Sequence, residues 1–317
     1  MRTLNNTLIL LMLTILLFSC DDILEEDITN DMVQTISPNE GATIDGNTVQ
    51  FLWQNLDGAD SYRIQIIKSN QVFEIDSLIS TTNFKVVLNS GTYQWRVRAE
   101  NFAYNTDYTF PVNFSVETSD DLSNQNVALS TPSVDLYTNN KNITFTWQGI
   151  TSAISCKFEL IKSLNGEQTI LPETDVTTSN YTIDPNLFND DAKYVWKVKA
   201  VNATSETVYS QRFLFIDTVA PNQPTLTSPA DQSTATTTAT FNWTNGTDSG
   251  NIKSTITNTI EIASDIGFNT KVHSANTVNN TYQYVFSTLG TYYWRVKAID
   301  AATNESDFSI VRSLVVE

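Results

Sequence analysis

The chain is poor in histidine, cysteine and positive charge. Its 317 residues include one histidine, two cysteines, and 18 Lys and Arg against 35 Asp and Glu, for a formal charge of −17. A Ser-His-Asp or Cys-His arrangement therefore has one candidate base, His273 in "KVHSAN", and no G-x-S-x-G elbow accompanies any serine. A surface strand or loop position is the expected place for that histidine. Metal motifs are missing as well: no C-x-x-C, no H-E-x-x-H and no D-x-[DN]-x-[DN]-G loop occurs. The acids are numerous and scattered, so no specific carboxylate pair for glycoside hydrolysis stands out. These absences point to a chain without catalytic residues, resident metal or cofactor. Nucleic acid is an unsuitable partner, because no run of Lys or Arg supplies the cationic stripe that releases counterions from phosphates. Long apolar runs are missing too. The one such run, Leu8 to Phe18, is too short to span a bilayer.

That run follows Arg2 and has the length and flanks of a secretory signal, expected over residues 1–19. Leu17, Phe18, Ser19 and Cys20 resemble a bacterial lipobox, although Phe18 is bulkier than the usual occupant. The resemblance implies that Cys20 becomes a lipidated N-terminus and that the membrane is a partner through this anchor. A single acyl chain holds a protein only marginally, so two or three chains are implied. Cleavage would remove Arg2 and no acid, taking the formal charge from −17 to −18. No Lys or Arg lies between Thr3 and Tyr62, and residues 20–35, with "DDILEEDITND", read as a solvated acidic tether. Asp21 and Asp22 resemble a surface-export signal of some Gram-negative lipoproteins, while in other such systems an aspartate at the position of Asp21 signals inner-membrane retention. The outer membrane, with the protein facing outward, is the favoured expectation.

Lipidation of Cys20 would leave Cys156 alone, so no intrachain disulfide could form and the domains would hold together by packing. Six tryptophans recur in pairs: Trp53 with Trp95, Trp147 with Trp196, and Trp243 with Trp294. Their spacing repeats every ~100 residues, the size of one sandwich domain. Each unit opens with turn-forming residues and enters an alternating strand, "VQFLW", "ITFTW" or "ATFNW", which puts Val49, Phe51 and Trp53 on one face. In the next strand, Tyr62, Cys156 and Asn258 fall at equivalent places. Cys156 reads as a buried structural thiol. Later come "GTYQWRVRAEN", "AKYVWKVKAVN" and "GTYYWRVKAID", in which Tyr93, Trp95, Val97 and Ala99, and their counterparts from Tyr194 and Tyr292, face one way.

This Tyr-x-Trp-x-Val-x-Ala pattern, late in a unit whose early strand carries a Trp, resembles the fibronectin type III fold. The resemblance implies an all-β chain of three tandem antiparallel β-sandwiches, fibronectin type III or immunoglobulin-like, over residues 36–117, 130–217 and 226–317. It also implies that each tyrosine makes a corner hydrogen bond. The motif is specific for fold and nearly silent about function. The family's cell-binding tripeptide is absent. Burying a large aromatic removes about 150–250 Å² from water, so all six tryptophans, with Tyr93, Tyr194 and Tyr292, are expected in the cores. Arg96, Arg98, Lys197, Lys199, Arg295 and Lys297 are expected outward, paired with acids on neighbouring strands. Proline-bearing linkers follow, the one around Pro221 stiffer than that around Asp120. Asp217-Thr218-Val219 and Asp76-Ser77-Leu78 weakly resemble O-glycosylation acceptors of some Gram-negative surface proteins.

Two functions fit this reading. In the first, a non-enzymatic surface lipoprotein acts as a stalk or adhesive module toward a protein partner. In the second, it captures polysaccharide for an uptake system. The candidate ligand loop is "ENFAYNTDYTF", where Phe102, Tyr104 and Tyr108 stand among Asn101, Asn105 and Asp107, a mixture suited to stacking on sugars and bonding their hydroxyls. An ordinary role is open to two of the three aromatics: Phe102 folding back onto the core, Tyr108 beginning the last strand. Glycan-capture proteins usually end in a domain unlike their spacers, whereas this chain ends on a third similar repeat. That departure favours the stalk.

Overall fold

The computed structural model describes residues 25–317. The expected signal peptide, Cys20 and the Asp21-Asp22 pair lie outside the described residues. The chain parts into two compact units, residues 1–118 and 119–317, the second holding two sheet pairs. Among the described residues there is no α-helix, and three sheet pairs repeat one design.

In the first unit the strands are β1 (Thr35–Ser37), β2 (Ala42–Asp45), β3 (Thr48–Trp53), β4 (Ser61–Lys68), β5 (Phe73–Ile79), β6 (Asn83–Val87), β7 (Gly91–Glu100) and β8 (Val112–Glu117). They form a three-stranded sheet, β1-β3-β6, and a five-stranded sheet, β2-β8-β7-β4-β5. Pairing is antiparallel except between β2 and β8, because the chain leaves β1 at the Ser37-Pro38 bend, changes sheets and runs alongside the last strand.

The second unit repeats this twice. Its first sandwich comprises β9 (Leu129–Thr131), β10 (Leu136–Thr138), β11 (Thr144–Trp147), β12 (Ser155–Ser163), β13 (Glu167–Val176), β14 (Asn180–Thr182), β15 (Ala192–Val201) and β16 (Ser210–Ile216). The other comprises β17 (Thr225–Ser228), β18 (Ser233–Ala235), β19 (Thr238–Thr244), β20 (Thr257–Ala263), β21 (Lys271–Thr277), β22 (Thr281–Val285), β23 (Gly290–Ile299) and β24 (Arg312–Val316). The sheets are β14-β11-β9 with β10-β16-β15-β12-β13, and β17-β19-β22 with β18-β24-β23-β20-β21. Again only the second and last strands of each sandwich run parallel.

Side-chain alternation along β7, β15 and β23 sets the cores. All six tryptophans are buried, at 3 % exposure or less. A phenylalanine from the smaller sheet packs on the later indole in each sandwich: Phe51 on Trp95 at 5.1 Å, Phe145 on Trp196 at 5.0 Å, and Phe241 on Trp294 at 4.8 Å between ring centroids. Such tilted and edge contacts add to what burial alone contributes. The three corner tyrosines donate to the carbonyl four residues earlier, Tyr93 to Asn89 at 2.8 Å, Tyr194 to Asp190 and Tyr292 to Thr288 at 2.9 Å.

Residues expected to form a solvated tether turn out differently from Ile28 onward. Ile28 and Val33 are buried in the first core, while Glu26, Asp27 and Asp31 stay exposed. The second sandwich has the same device. Leu122 and Val127 enter its core from "DLSNQNV", a counterpart of "DITNDMV". In both, an aspartate accepts the backbone N–H two residues on, Thr29 to Asp27 and Ser123 to Asp121, turning the apolar residue inward. Acidic composition hid these plugs, since one apolar residue in a polar run shows no period.

Candidate functional site

Three places could carry chemistry or binding: the β7–β8 loop of the first sandwich, the two classical nucleophile-or-base candidates, and a group of acids in the second unit.

The β7–β8 loop is shaped by Asn101. Its Oδ1 accepts the N–H of Ala103 at 3.2 Å and of Tyr104 at 2.7 Å, while its Nδ2 donates to the carbonyls of Glu26 and Gly58, both at 2.9 Å. Phe102 is thereby thrust outward, 93 % exposed, and Tyr104 is 38 % exposed beside it. Phe102 does not fold back onto the core. Tyr108 is separate from that tip. It lies half-buried across the outward face of β7, with the guanidinium carbons of Arg96 and Arg98 at 4.5 and 4.9 Å from its ring centre. It precedes β8, which begins at Val112. Tyr209 occupies the equivalent place over Lys197 and Lys199, and Phe308 over Arg295 and Lys297. The candidate trio is thus an exposed pair, Phe102 and Tyr104, plus a sheet-covering ring. Phe110, 81 % exposed, was missed because it reads as the start of a strand.

The outward cations find several partners. Lys197 meets Glu159 at 3.4 Å, Arg295 meets Glu261 at 2.7 Å, and Lys199 lies between Glu173 and Glu206. Arg96 donates instead to Gln65 Oε1 at 2.8 Å, and Arg98 pairs with Glu100 on its own strand.

Cys156 is buried and accepts the indole N–H of Trp147 at 3.3 Å. Burial pushes its thiol pKa up despite that bond, opposite to what a nucleophile needs. His273, on β21, shares a hydrogen bond with the Tyr282 hydroxyl at 2.7 Å and lies against the rings of Tyr282 and Tyr284. These contacts hold the imidazole between β21 and β22, edge strands of the two facing sheets, with no serine or cysteine among them.

The acids are Asp217, just after β16, Asp248, in the β19–β20 loop, and Asp300, just after β23. One carboxylate oxygen from each lies within 4.8 Å of the others. Asp217 is 1 % exposed and Asp300 5 %. Burial, reinforced by the negative charges of Asp300, Asp248 and Asp191 against one opposing backbone hydrogen bond from Val219, pushes the Asp217 carboxyl up to about 6. Motif searching missed this group because each acid comes from a different segment. Thr218, in the O-glycosylation-like triplet, donates its hydroxyl to Asp191 at 2.9 Å.

No protein-family model matches the chain, and no curated protein matches it. Among solved structures, the FN1–FN3 domains of chicken CNTN1 are similar over 90 % of this chain and 97 % of that one, with 14 % identity and a TM-score of 0.46. The fibronectin(III)-like modules of CbhA from Clostridium thermocellum are similar over 59 % of this chain and 94 % of theirs, with 12 % identity and a TM-score of 0.23.

Proposed function

We propose that the chain is a non-enzymatic stalk or interaction module held at the cell exterior by lipid on Cys20. The observation that carries this reading is the threefold repetition of one sandwich whose tryptophans are committed to its own core. A stalk needs self-sufficient modules in series, and each of these has its own sealed core without a cross-link. The surface is strongly acidic, which repels nucleic acid and anionic lipid and leaves the acyl group as the attachment. In cells, the parent protein should partition with the outer membrane, incorporate labelled fatty acid and be cleaved by protease added outside. Cys20→Ser should abolish labelling and release the protein. Fatty-acid-free parent protein, or full protection from external protease in intact cells, would remove the anchored-stalk reading.

A second reading, capture of a polysaccharide, draws on Phe102 and Tyr104, exposed together on a loop pinned by Asn101. Exposed aromatics on a fixed loop suit stacking on sugar faces. Affinity electrophoresis against plant and microbial polysaccharides should then show retardation that Tyr104→Ala abolishes. Unchanged mobility across the panel leaves the stalk.

A further inference from the structure

We infer that Asp217, Asp248 and Asp300 together hold one calcium ion, which ties the exit of the second sandwich to two loops of the third. The inference does not depend on the stalk reading.

The first support is the hydrogen-bond count. Asp217 Oδ1 accepts the Val219 N–H at 3.1 Å, but Oδ2 is buried with no partner. Asp248 Oδ2 accepts from the N–H and hydroxyl of Ser254, at 2.7 and 3.3 Å, and its Oδ1 is likewise buried and unpartnered. Asp300 accepts from the backbone and side chain of Asn304, both at 2.8 Å. Asn304 Nδ2 also donates to the Asp217 carbonyl at 2.9 Å, fixing the two segments together. Buried carboxylate oxygens require a donor or a cation. Asp300, Asp248 and Asp191, the charged groups that act most on Asp217, are all negative.

The second support comes from the other two sandwiches. At the position of Asp300 they carry neutral amides: Asn101 donates to the carbonyls of Glu26 and Gly58, and Asn202 to those of Asp120 and Ser152. In each, one amide staples the incoming segment to the loop between the third and fourth strands. In the last sandwich that staple is replaced by a carboxylate, and the same loop is longer, from Trp243 to Asn258 against Trp53 to Tyr62, and brings in Asp248. Asn304 takes over the link to the incoming segment, but the carboxylate now at this position brings a third negative group beside the unpartnered buried oxygens of Asp217 and Asp248. A cation supplies what those oxygens lack.

Calcium suits the donors. Carboxylates are hard oxygen ligands, and calcium takes them at about 2.3–2.6 Å with flexible geometry, so oxygens on opposite sides of one ion stand up to about 5 Å apart. The three oxygens lie within 4.8 Å of one another, inside that span. Magnesium, with shorter bonds and stricter geometry, fits three converging carboxylates less well.

The test is calcium titration by calorimetry on the full chain in detergent after EDTA treatment, with melting curves alongside. Expected are one site per chain and a melting temperature raised by about 5 °C in millimolar calcium, with magnesium giving a clearly smaller rise. Asp248→Asn should weaken calcium binding at least ~10-fold while melting no lower than the parent in EDTA, since a like charge has gone. Asp300→Asn, which restores the residue type of the other sandwiches, should do the same. No heat and no melting shift in millimolar calcium, or variants that bind as the parent does, would overturn the site. An equal response to magnesium would overturn the calcium assignment. Variants that melt lower in EDTA would show a purely structural role and overturn it as well.

Discussion

Arg212 donates to the carbonyl of Pro132 at 3.0 Å, bridging the last strand of the second sandwich to the bend where its first strand changes sheets. The same guanidinium reaches the carbonyls of Ser130 and Leu129. Arg312 repeats the arrangement in the third sandwich, on Thr227, Pro229 and Leu226. Both arginines stand opposite the later tryptophan, at the register position that Val112 fills in the first sandwich. There the indole of Trp95 takes over, donating to the Pro38 carbonyl at 3.1 Å. Arg212→Val should therefore cost the second sandwich about 2–3 kcal/mol, since it strands carbonyls at a partly buried bend. Urea unfolding of the full chain, followed by fluorescence, would read this as an earlier transition. A midpoint unchanged from the parent would show that the bend holds without the guanidinium.

The two solutions make the tryptophans unequal. The Trp196 and Trp294 indole N–H groups are buried without an acceptor, whereas Trp95 has one. Replacing indole by phenyl removes similar apolar area in each case but a hydrogen bond only at Trp95. Trp95→Phe should destabilise its sandwich by about 1 kcal/mol more than Trp196→Phe does. Comparing denaturant midpoints of the two variants checks it, and the reverse order would contradict the assigned bond.

Much of the fold was legible in the sequence because strand alternation has a fixed period of two. Tyr93, Trp95, Val97 and Ala99 announce their face without reference to any other segment, and the three copies reinforce one another. What lay hidden was non-periodic or non-local. Ile28 and Leu122 are single apolar residues in acidic runs, placed by a local turn and read as tether or linker. Asp217, Asp248 and Asp300 share no motif and meet only because three loop ends converge. Tyr108 was readable in principle. "TDYT", "TVYS" and "SDFS" align once the repeats are set side by side, and a ring recurring at one position in every copy serves the sandwich.

That recurrence gives a direct comparison. The groups flanking the ring are also structural: the Thr106 and Thr109 hydroxyls accept the N–H groups of Ala99 and Val97, and their backbone N–H groups donate to the carbonyls of the same two residues, where β8 no longer pairs with β7. Tyr108→Ala should cost about 1–2 kcal/mol through lost cation–π contact and uncovered sheet. Tyr209→Ala should cost at least as much, because its hydroxyl also donates to Glu173 at 2.5 Å. Tyr104→Ala, by contrast, should leave stability within about 0.5 kcal/mol. Thermal melts of the three variants would settle the order, and a Tyr104 variant as unstable as the Tyr108 variant would mean that the loop tip is part of the fold.

Acid sensitivity should centre on Glu261 in the third sandwich. Burial alone would raise its pKa, but hydrogen bonds from Lys271 and from Arg295, the latter at 2.7 and 2.9 Å, outweigh this and hold the carboxyl below its ordinary value. A carboxylate whose pKa is lower folded than unfolded stabilises the fold above the unfolded value, and that contribution fades as pH falls through the folded one. Glu261→Gln should thus melt lower than the parent at pH 7, by about 1–3 kcal/mol in stability, and the gap should close below the ordinary glutamate range. Melting curves of parent and variant from pH 7 to pH 3 follow that gap. If it widened toward low pH, Glu261 would be binding its proton more tightly in the fold than out of it, and the two cations beside it would not be what sets its charge.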